Sequence, residues 1–332
     1  MKVDPSTRLA ERNFIMATAL KDFQEDPREC ALQEKVATGY QLEDVEEMTD
    51  RYKDVLVNTV HIAADLEVVT LPTYSPAIKT SPTLEDKIAI AAACQDELGH
   101  AQMMYRILED FGYDTHSFLF ERDPEEWRTF QMLEFPHEDY IESVVSMCYG
   151  DRAGYITTVD LEENCSYAPL ARSLRKVNYE ETFHVSHGER WTKFFWNQSD
   201  DSRRRVQETV DFYFPLCAAW FGMPDDLKTR TDQLAYRVRG ASNDEMRQKW
   251  LSRVVPFSES VGIKVPAHYD ADQGKYVLDY EAPIYLDEEK REWDYSRQIT
   301  WKEQLKIWKK GSKHKVPSIA RVISEEWGKD LW

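Results

Sequence analysis

The chain has 332 residues, with 42 Lys and Arg against 60 Asp and Glu, and a net charge of −18. Holding a polyanion depends on neutralising its phosphates, so this balance argues against a nucleic-acid partner. A composition 42% hydrophobic with only 12 Gly describes a helix-rich globular chain, mainly one domain, long enough to bury a large core.

Five cysteines (Cys30, Cys94, Cys148, Cys165, Cys217) include no Cys-x-x-Cys pair and read as buried thiols of a reducing compartment. The longest apolar run, Ile88 to Cys94, is short of a membrane span, and the N-terminus lacks a signal-peptide core. A soluble, cytoplasmic protein without a membrane partner is expected.

Residues 1–44 are polar, punctuated by Pro5 and Pro27, and read as an arm lying on the main domain or on a partner. Helical patterning begins at 45. Over 45–71, Leu56, Val60, Ala63, Glu67 and Leu71 form a stripe that carries one acid inward. Over 83–111, Ile90, Ala93, Glu97, His100, Met104 and Ile107 form the next stripe, with an acid and an imidazole on its buried face. Residues 112–137 read as a crossover. Glu134 and His137 fit Glu-x-x-His, but Pro136 pushes its predecessor out of helical geometry, so this pair reads as loop.

The second half repeats the first. Over 138–163, Val144, Cys148, Asp151 and Tyr155 carry an acid inward; over 169–196, Leu174, Val177, Glu181, His184, Gly188 and Trp191 place an acid and an imidazole as before. Raising 67, 97 and 100 by 84 gives 151, 181 and 184. A single Glu-x-x-His is expected by chance on the order of once in such a chain, so the discriminating signal is the shared spacing to an upstream carboxylate.

One helical hairpin used twice, each copy giving a carboxylate and then Glu-x-x-His, supplies the ligand set of a ferritin-like dinuclear bundle. Four inward carboxylates would repel one another unless a cation is bound. Two divalent metals with two neutral imidazoles bring the assembly close to neutrality, and mixed oxygen and nitrogen ligands favour Fe or Mn. The bland alternative, buried salt bridges, lacks an inward Lys or Arg on these stripes. The fold class expected is all-α, with additional C-terminal helices and an irregular tail.

A fifth helix over 201–221 carries Phe212, Tyr213, Phe214, Trp220 and Phe221, which are either core or the lining of an aromatic pocket. Another helix is opened by Ser242, with a capping box closed by Glu245. Basic clusters at Arg203, Arg204 and Arg205, and at Arg237, Arg239, Arg247 and Lys249, read as solvated faces with phosphate contact as the alternative. The domain therefore spans 45–254, and 255–332 reads as a tail packing on the bundle or on a partner subunit.

The segments Gln95-Asp96-Glu97-Leu98-Gly99-His100, Glu180-Glu181-Thr182-Phe183-His184 and Ser242-Asn243-Asp244-Glu245-Met246-Arg247-Gln248 resemble the catalytic subunits of bacterial phenylacetyl-CoA epoxidases, a family of multicomponent di-iron monooxygenases. The likeness runs from about 45 to 280, includes Leu66-Glu67 and Gly150-Asp151, and departs in the arm, the tail and the length of the third helix before Ser166.

The resemblance implies iron held by Glu67, Glu97 and His100 and by Asp151, Glu181 and His184, with Glu97 and Glu181 as bridges. It further implies O2 as co-substrate and epoxidation of the ring of an aryl acyl-CoA, most closely phenylacetyl-CoA. The chain has neither a dinucleotide fingerprint nor a cysteine cluster, so electrons are expected from NADPH through a separate flavin/iron-sulfur reductase. A metal-free ferritin-like partner subunit completes the implied hetero-oligomer. The competing readings are a benzoyl-CoA epoxidase, a ribonucleotide-reductase-like small subunit using Tyr105 or Tyr155, an iron-storing ferritin, and a non-catalytic scaffold subunit. Asp96 and Glu180, four residues before each histidine, read either as hydrogen-bond partners of the imidazoles or as solvent-facing or interhelical salt-bridge residues.

Overall fold

The computed structural model describes residues 26–227 and 231–312. Helix α1 (Pro27–Ala37) opens it, with Asp26 capping its first turn and Leu32 and Val36 buried. Leu42 then forms a parallel bridge to Tyr167, so this part of the arm is pinned to the main body. The segments 1–25 and 313–332 of the expected arm and tail lie outside the described residues.

Four long helical passes make the bundle. The first hairpin joins α2 (Asp50–Tyr74), capped by Thr49, to α3 (Leu84–Asp110), capped by Thr83. The caps satisfy N–H groups that helix starts leave unpaired. Helix α2 continues through Pro72, beyond the end expected at 71. All six residues of the stripe from Ile90 to Ile107 are buried, as their spacing predicts. By length and composition Asp50–Thr80 would also qualify as a membrane span, with 44% of its most apolar window buried. The run-length expectation missed this. Its apolar positions pack on α3, and the acid it carries at Asp65 is fully buried within protein.

Helix α4 (Thr115–Phe120) lies in the crossover. The rest of that connection is drawn inward, with Trp127, Phe130, Met132, Leu133 and Phe135 buried. Asp65 holds it there, accepting from both terminal nitrogens of Arg122 and from the Arg128 backbone N–H. Thr73 adds a donor to the Leu133 carbonyl.

The second hairpin pairs a broken helix with a continuous one. Helix α5 (Tyr140–Ser146) passes into a π-helical turn, Met147–Asp151, and then into α6 (Arg152–Asn164). Helix α7 (Ala168–Gln198) packs on all three pieces and on α3. Gly188 permits the approach: a Cβ there would lie 2.5 Å from the Cys148 backbone N and 2.7 Å from the Val144 carbonyl oxygen.

Helix α8 (Asp200–Ala219) covers α5 and α7, with Phe212, Tyr213 and Phe214 in the core. The capping box of Ser242 and Glu245 opens α9 (Asn243–Val261) as expected. This helix runs through Pro256, so the boundary expected at 255 falls inside it.

The expected irregular tail is more ordered than its composition suggested. It forms two antiparallel hairpins, β1 (Ala267–Asp270) with β2 (Lys275–Leu278), and β3 (Ile284–Asp287) with β4 (Glu292–Gln298), followed by α10 (Trp301–Trp308). Leu286 and Trp301 are buried, which gives these short strands an apolar surface to fold upon. The five cysteines form no disulfide, and four are buried.

Candidate metal centre

All six residues of the repeated pattern meet inside the bundle. Glu67 comes from α2, Glu97 and His100 from α3, Asp151 from the π turn, and Glu181 and His184 from α7. His100 is 1% exposed and His184 is fully buried. Glu67, Glu97 and His100 present ligand atoms within 4.8 Å of one another, and so do Glu97, Asp151 and His184. The +84 relation is thus a spatial one, two half-sites sharing a carboxylate.

The histidines face the acids through Nδ1. His100 Nδ1 lies 3.8 Å from Glu67, 3.9 Å from Glu97 and 3.7 Å from Glu181. His184 Nδ1 lies 3.4 Å from Glu97, 3.9 Å from Asp151 and 3.6 Å from Glu181. Glu97 and Glu181 therefore each approach both imidazoles, while Glu67 lies near His100 and Asp151 near His184. Neither Nδ1 has a hydrogen-bond partner, and neither does Asp151 Oδ2. Buried polar atoms left unpaired in this way are costly, and two cations among them would satisfy all three at once. The residues present fit a pair of metal ions.

The outer nitrogens are held crosswise. His100 Nε2 is 3.1 Å from Glu180 on α7, and His184 Nε2 is 3.3 Å from Asp96 on α3. Each imidazole is braced by the acid lying four residues before the other histidine. In the neutral imidazole a carboxylate at Nε2 keeps the proton there and leaves the Nδ1 lone pair facing inward, the arrangement metal-binding histidines use.

Electrostatics report the same strain. Burial, against hydrogen bonding from Glu97, pushes the Glu67 carboxyl up to about 7. Burial and then Glu67 raise Glu97 well above its usual range, and burial and then Glu181 do so for Asp151. Burial disfavours protonated His184, but Asp96, Glu181 and Glu97 prevail and hold it protonated well above the normal histidine range. Without cations the site draws in protons.

Tyr74, fully buried on α2, was not legible in the sequence; its hydroxyl donates to Asp151 Oδ1. Tyr105 donates instead to Asp65, within the network that anchors the crossover. His61 sits in that network too, 3.3 Å from Asp65. Glu134 and His137 lie in a short 3-10 turn and the loop after it, as Pro136 implied, with the His137 ring packed edge-on against Tyr74.

A cavity of about 320 Å³ opens beside the carboxylates. Glu67, Glu97, Asp151 and Glu181 line one part, while Leu66, Phe130, Met132, Leu133, Leu161, Trp220 and Phe221 supply apolar wall. Among the aromatics of 201–221, Trp220 and Phe221 therefore line the cavity, while Phe212, Tyr213 and Phe214 are core. The volume is about twice the roughly 150 Å³ that accommodates benzene in an apolar protein cavity.

Two antiparallel helical hairpins with this donor set define a ferritin-like bundle of the dinuclear carboxylate class. Residues 18–303 match the phenylacetic acid catabolic protein family, and the chain belongs to it. It is also 25% identical over 248 residues to the A subunit of 1,2-phenylacetyl-CoA epoxidase from Escherichia coli (strain K12), a match covering 74% of this chain and 80% of that protein.

Proposed function

We propose that this chain is the oxygenase subunit of a multicomponent di-iron monooxygenase that epoxidises the ring of an aryl acyl-CoA, phenylacetyl-CoA in the first instance. The observation that carries the reading is the convergence of two buried, unpartnered His Nδ1 atoms on four carboxylates, which themselves line a largely apolar cavity. Family membership and the likeness to an epoxidase subunit support the same reaction class.

In this reading Glu67, Glu97 and His100 hold one iron and Asp151, Glu181 and His184 the other, with Glu97 and Glu181 shared; Mn is the second choice. When bound, the irons supply O2 activation, delivering one oxygen atom to the ring and the other to water. The chain contributes the rest. Asp96 and Glu180 fix the imidazole tautomers. The apolar wall holds the ring against the ligands and excludes water. The substrate is brought to a site whose geometry is already set. Electrons come from NADPH through a separate flavin/iron-sulfur reductase, and the chain works in a cytoplasmic hetero-oligomer with a metal-free ferritin-like partner.

The test is metal analysis of protein expressed with iron, followed by turnover of phenylacetyl-CoA and benzoyl-CoA with a reductase and O2. About two irons per chain and ring epoxidation of phenylacetyl-CoA are expected. Iron-replete protein that carries no metal, even with its partner subunit, would overturn the reading in favour of a scaffold role. Preference for benzoyl-CoA would move the substrate assignment.

A further inference from the structure

Arg239 is a buried cation with almost no partners. It is 9% exposed, and one terminal nitrogen donates to Asn243 Oδ1 at 2.8 Å. Its Nε is buried without a hydrogen bond, and no described carboxylate forms an ion pair with it. Asp160, whose field reaches it, accepts instead from the backbone N–H groups of Gly240 and Ala241. A guanidinium removed from water in this way needs an acceptor, and burial lowers its pKa accordingly.

Arg239 also lines the cavity beside the metal centre, the sole cationic side chain among the described lining residues. The cavity hydroxyls have no such spare capacity. Thr59, Thr70 and Thr157 donate to the carbonyls of Val55, Leu66 and Ala153 within their own helices.

The location follows from two hydrogen bonds. Gln233 Nε2 donates to Thr59 Oγ1 at 2.9 Å, and the Arg239 backbone N–H donates to the Gln233 carbonyl at 3.2 Å. Arg239 therefore belongs to the Thr59 end of the cavity. Thr59 precedes Glu67 by eight residues on α2, roughly 12 Å at the helical rise. One end of the cavity carries the carboxylates and the other carries free donors, with apolar wall between.

We infer that Arg239 is a substrate-recognition residue whose guanidinium donates to a carbonyl oxygen on the acyl-thioester arm of the aromatic substrate, setting how far the ring reaches toward Glu67 and Asp151. This rests on the aryl acyl-CoA reading above and adds the group that registers the substrate along the cavity. An aromatic ring against smooth apolar walls has no axial stop. A hydrogen bond at the far end provides one.

The experiment is equilibrium binding to the full-length protein of three probes: phenylacetyl-CoA, the thioether S-(2-phenylethyl)-CoA, which lacks the carbonyl, and free phenylacetate. The wild type is expected to bind the thioester roughly 10- to 100-fold more tightly than the thioether, the range for a hydrogen bond to a charged group. Arg239→Met is expected to remove that preference by weakening only the thioester, and Arg239→Lys to restore part of it. Equal wild-type affinity for thioester and thioether would overturn the inference without any variant. So would an Arg239→Met protein that keeps the preference, or one whose affinity falls only for free phenylacetate, which would assign the guanidinium to a carboxylate. A wild type that binds no CoA ester would sink the parent reading as well; a wild type that binds the thioester while Arg239→Met changes nothing would sink this inference alone.

Discussion

Tyr74 donates to Oδ1 of Asp151 across the bundle and leaves Oδ2 of the same carboxylate buried and unpartnered. Helix α2 thus supplies Glu67 to the site and, two turns on, orients a ligand that belongs to the other hairpin. One oxygen of Asp151 is committed to the tyrosine and the other faces His184. Tyr74→Phe frees both. Metal affinity is expected to fall roughly 10- to 100-fold, the usual effect of losing a hydrogen bond behind a ligand. Chelator competition would measure it, with far-UV circular dichroism unchanged.

Glu97 and Glu181 are the two carboxylates that approach both imidazoles, so removing both strips each Nδ1 of two neighbouring oxygen donors. Glu97→Ala with Glu181→Ala is expected to reduce loading from about two metals per chain to none while helix content stays intact. A stoichiometry still near two would show that the ligands lie elsewhere.

The metal-free protein is expected to lose stability as pH rises past neutrality. Glu67 is raised to about 7 in the fold, and Glu97 and Asp151 are also raised, so the folded chain binds more protons than the unfolded one above the ordinary carboxylate range. That contribution is lost as pH climbs through the folded values. His184, raised by its acid neighbours, acts with the same sign, because protonated histidine is favoured in the fold until its folded pKa is passed. Buried His137 and His187, held neutral in the fold, act with the opposite sign up to the ordinary histidine range. Melting temperatures of chelated protein should therefore fall between pH 7 and 8, and bound divalent metal should cancel the trend with release of protons.

Asp65 is fully buried and accepts from Arg122, Tyr105 and the Arg128 backbone. Asp65→Asn leaves the Arg122 charge without its counter-ion. A loss of about 3–5 kcal/mol is expected from denaturant unfolding, the range for breaking one side of a buried pair. Because Arg122 anchors the segment leading to Thr129 and Phe130, the cavity wall should loosen with it.

Gly188→Ala puts a methyl against the backbone of the π turn. A destabilisation of about 1–3 kcal/mol is expected, as for overpacking generally. Since the displaced turn carries Asp151, metal loading should fall too, while a glycine without close neighbours such as Gly99 should tolerate alanine.

The bundle and the six meeting residues were legible because helical period records which face is buried, and Glu97, His100, Glu181 and His184 sat on stripes that were otherwise apolar. Period records no partner across the bundle. Tyr74 lay beyond the helix end expected at 71, and Arg239 read as one member of a basic cluster on a solvated face. The crosswise bracing by Asp96 and Glu180 was visible only as one option among several. The π turn adds a local irregularity that leaves no residue signature at Met147–Asp151. The tail misled through composition: its charge and prolines suggested irregular chain, while Leu286 and Trp301 found an apolar surface and Pro256 sat within a helix held by its neighbours.

Glu180 and Glu181 are consecutive residues, one bracing the outer face of His100 and the other reaching the inner faces of both imidazoles. On the two-metal reading proposed above, a small slide of α7 would disturb both metal positions together. The centre would then have no independent halves, and the first ion to enter would stiffen the scaffold that the second requires. Filling should run nearly all-or-none, with singly loaded molecules scarce at every stage of a titration.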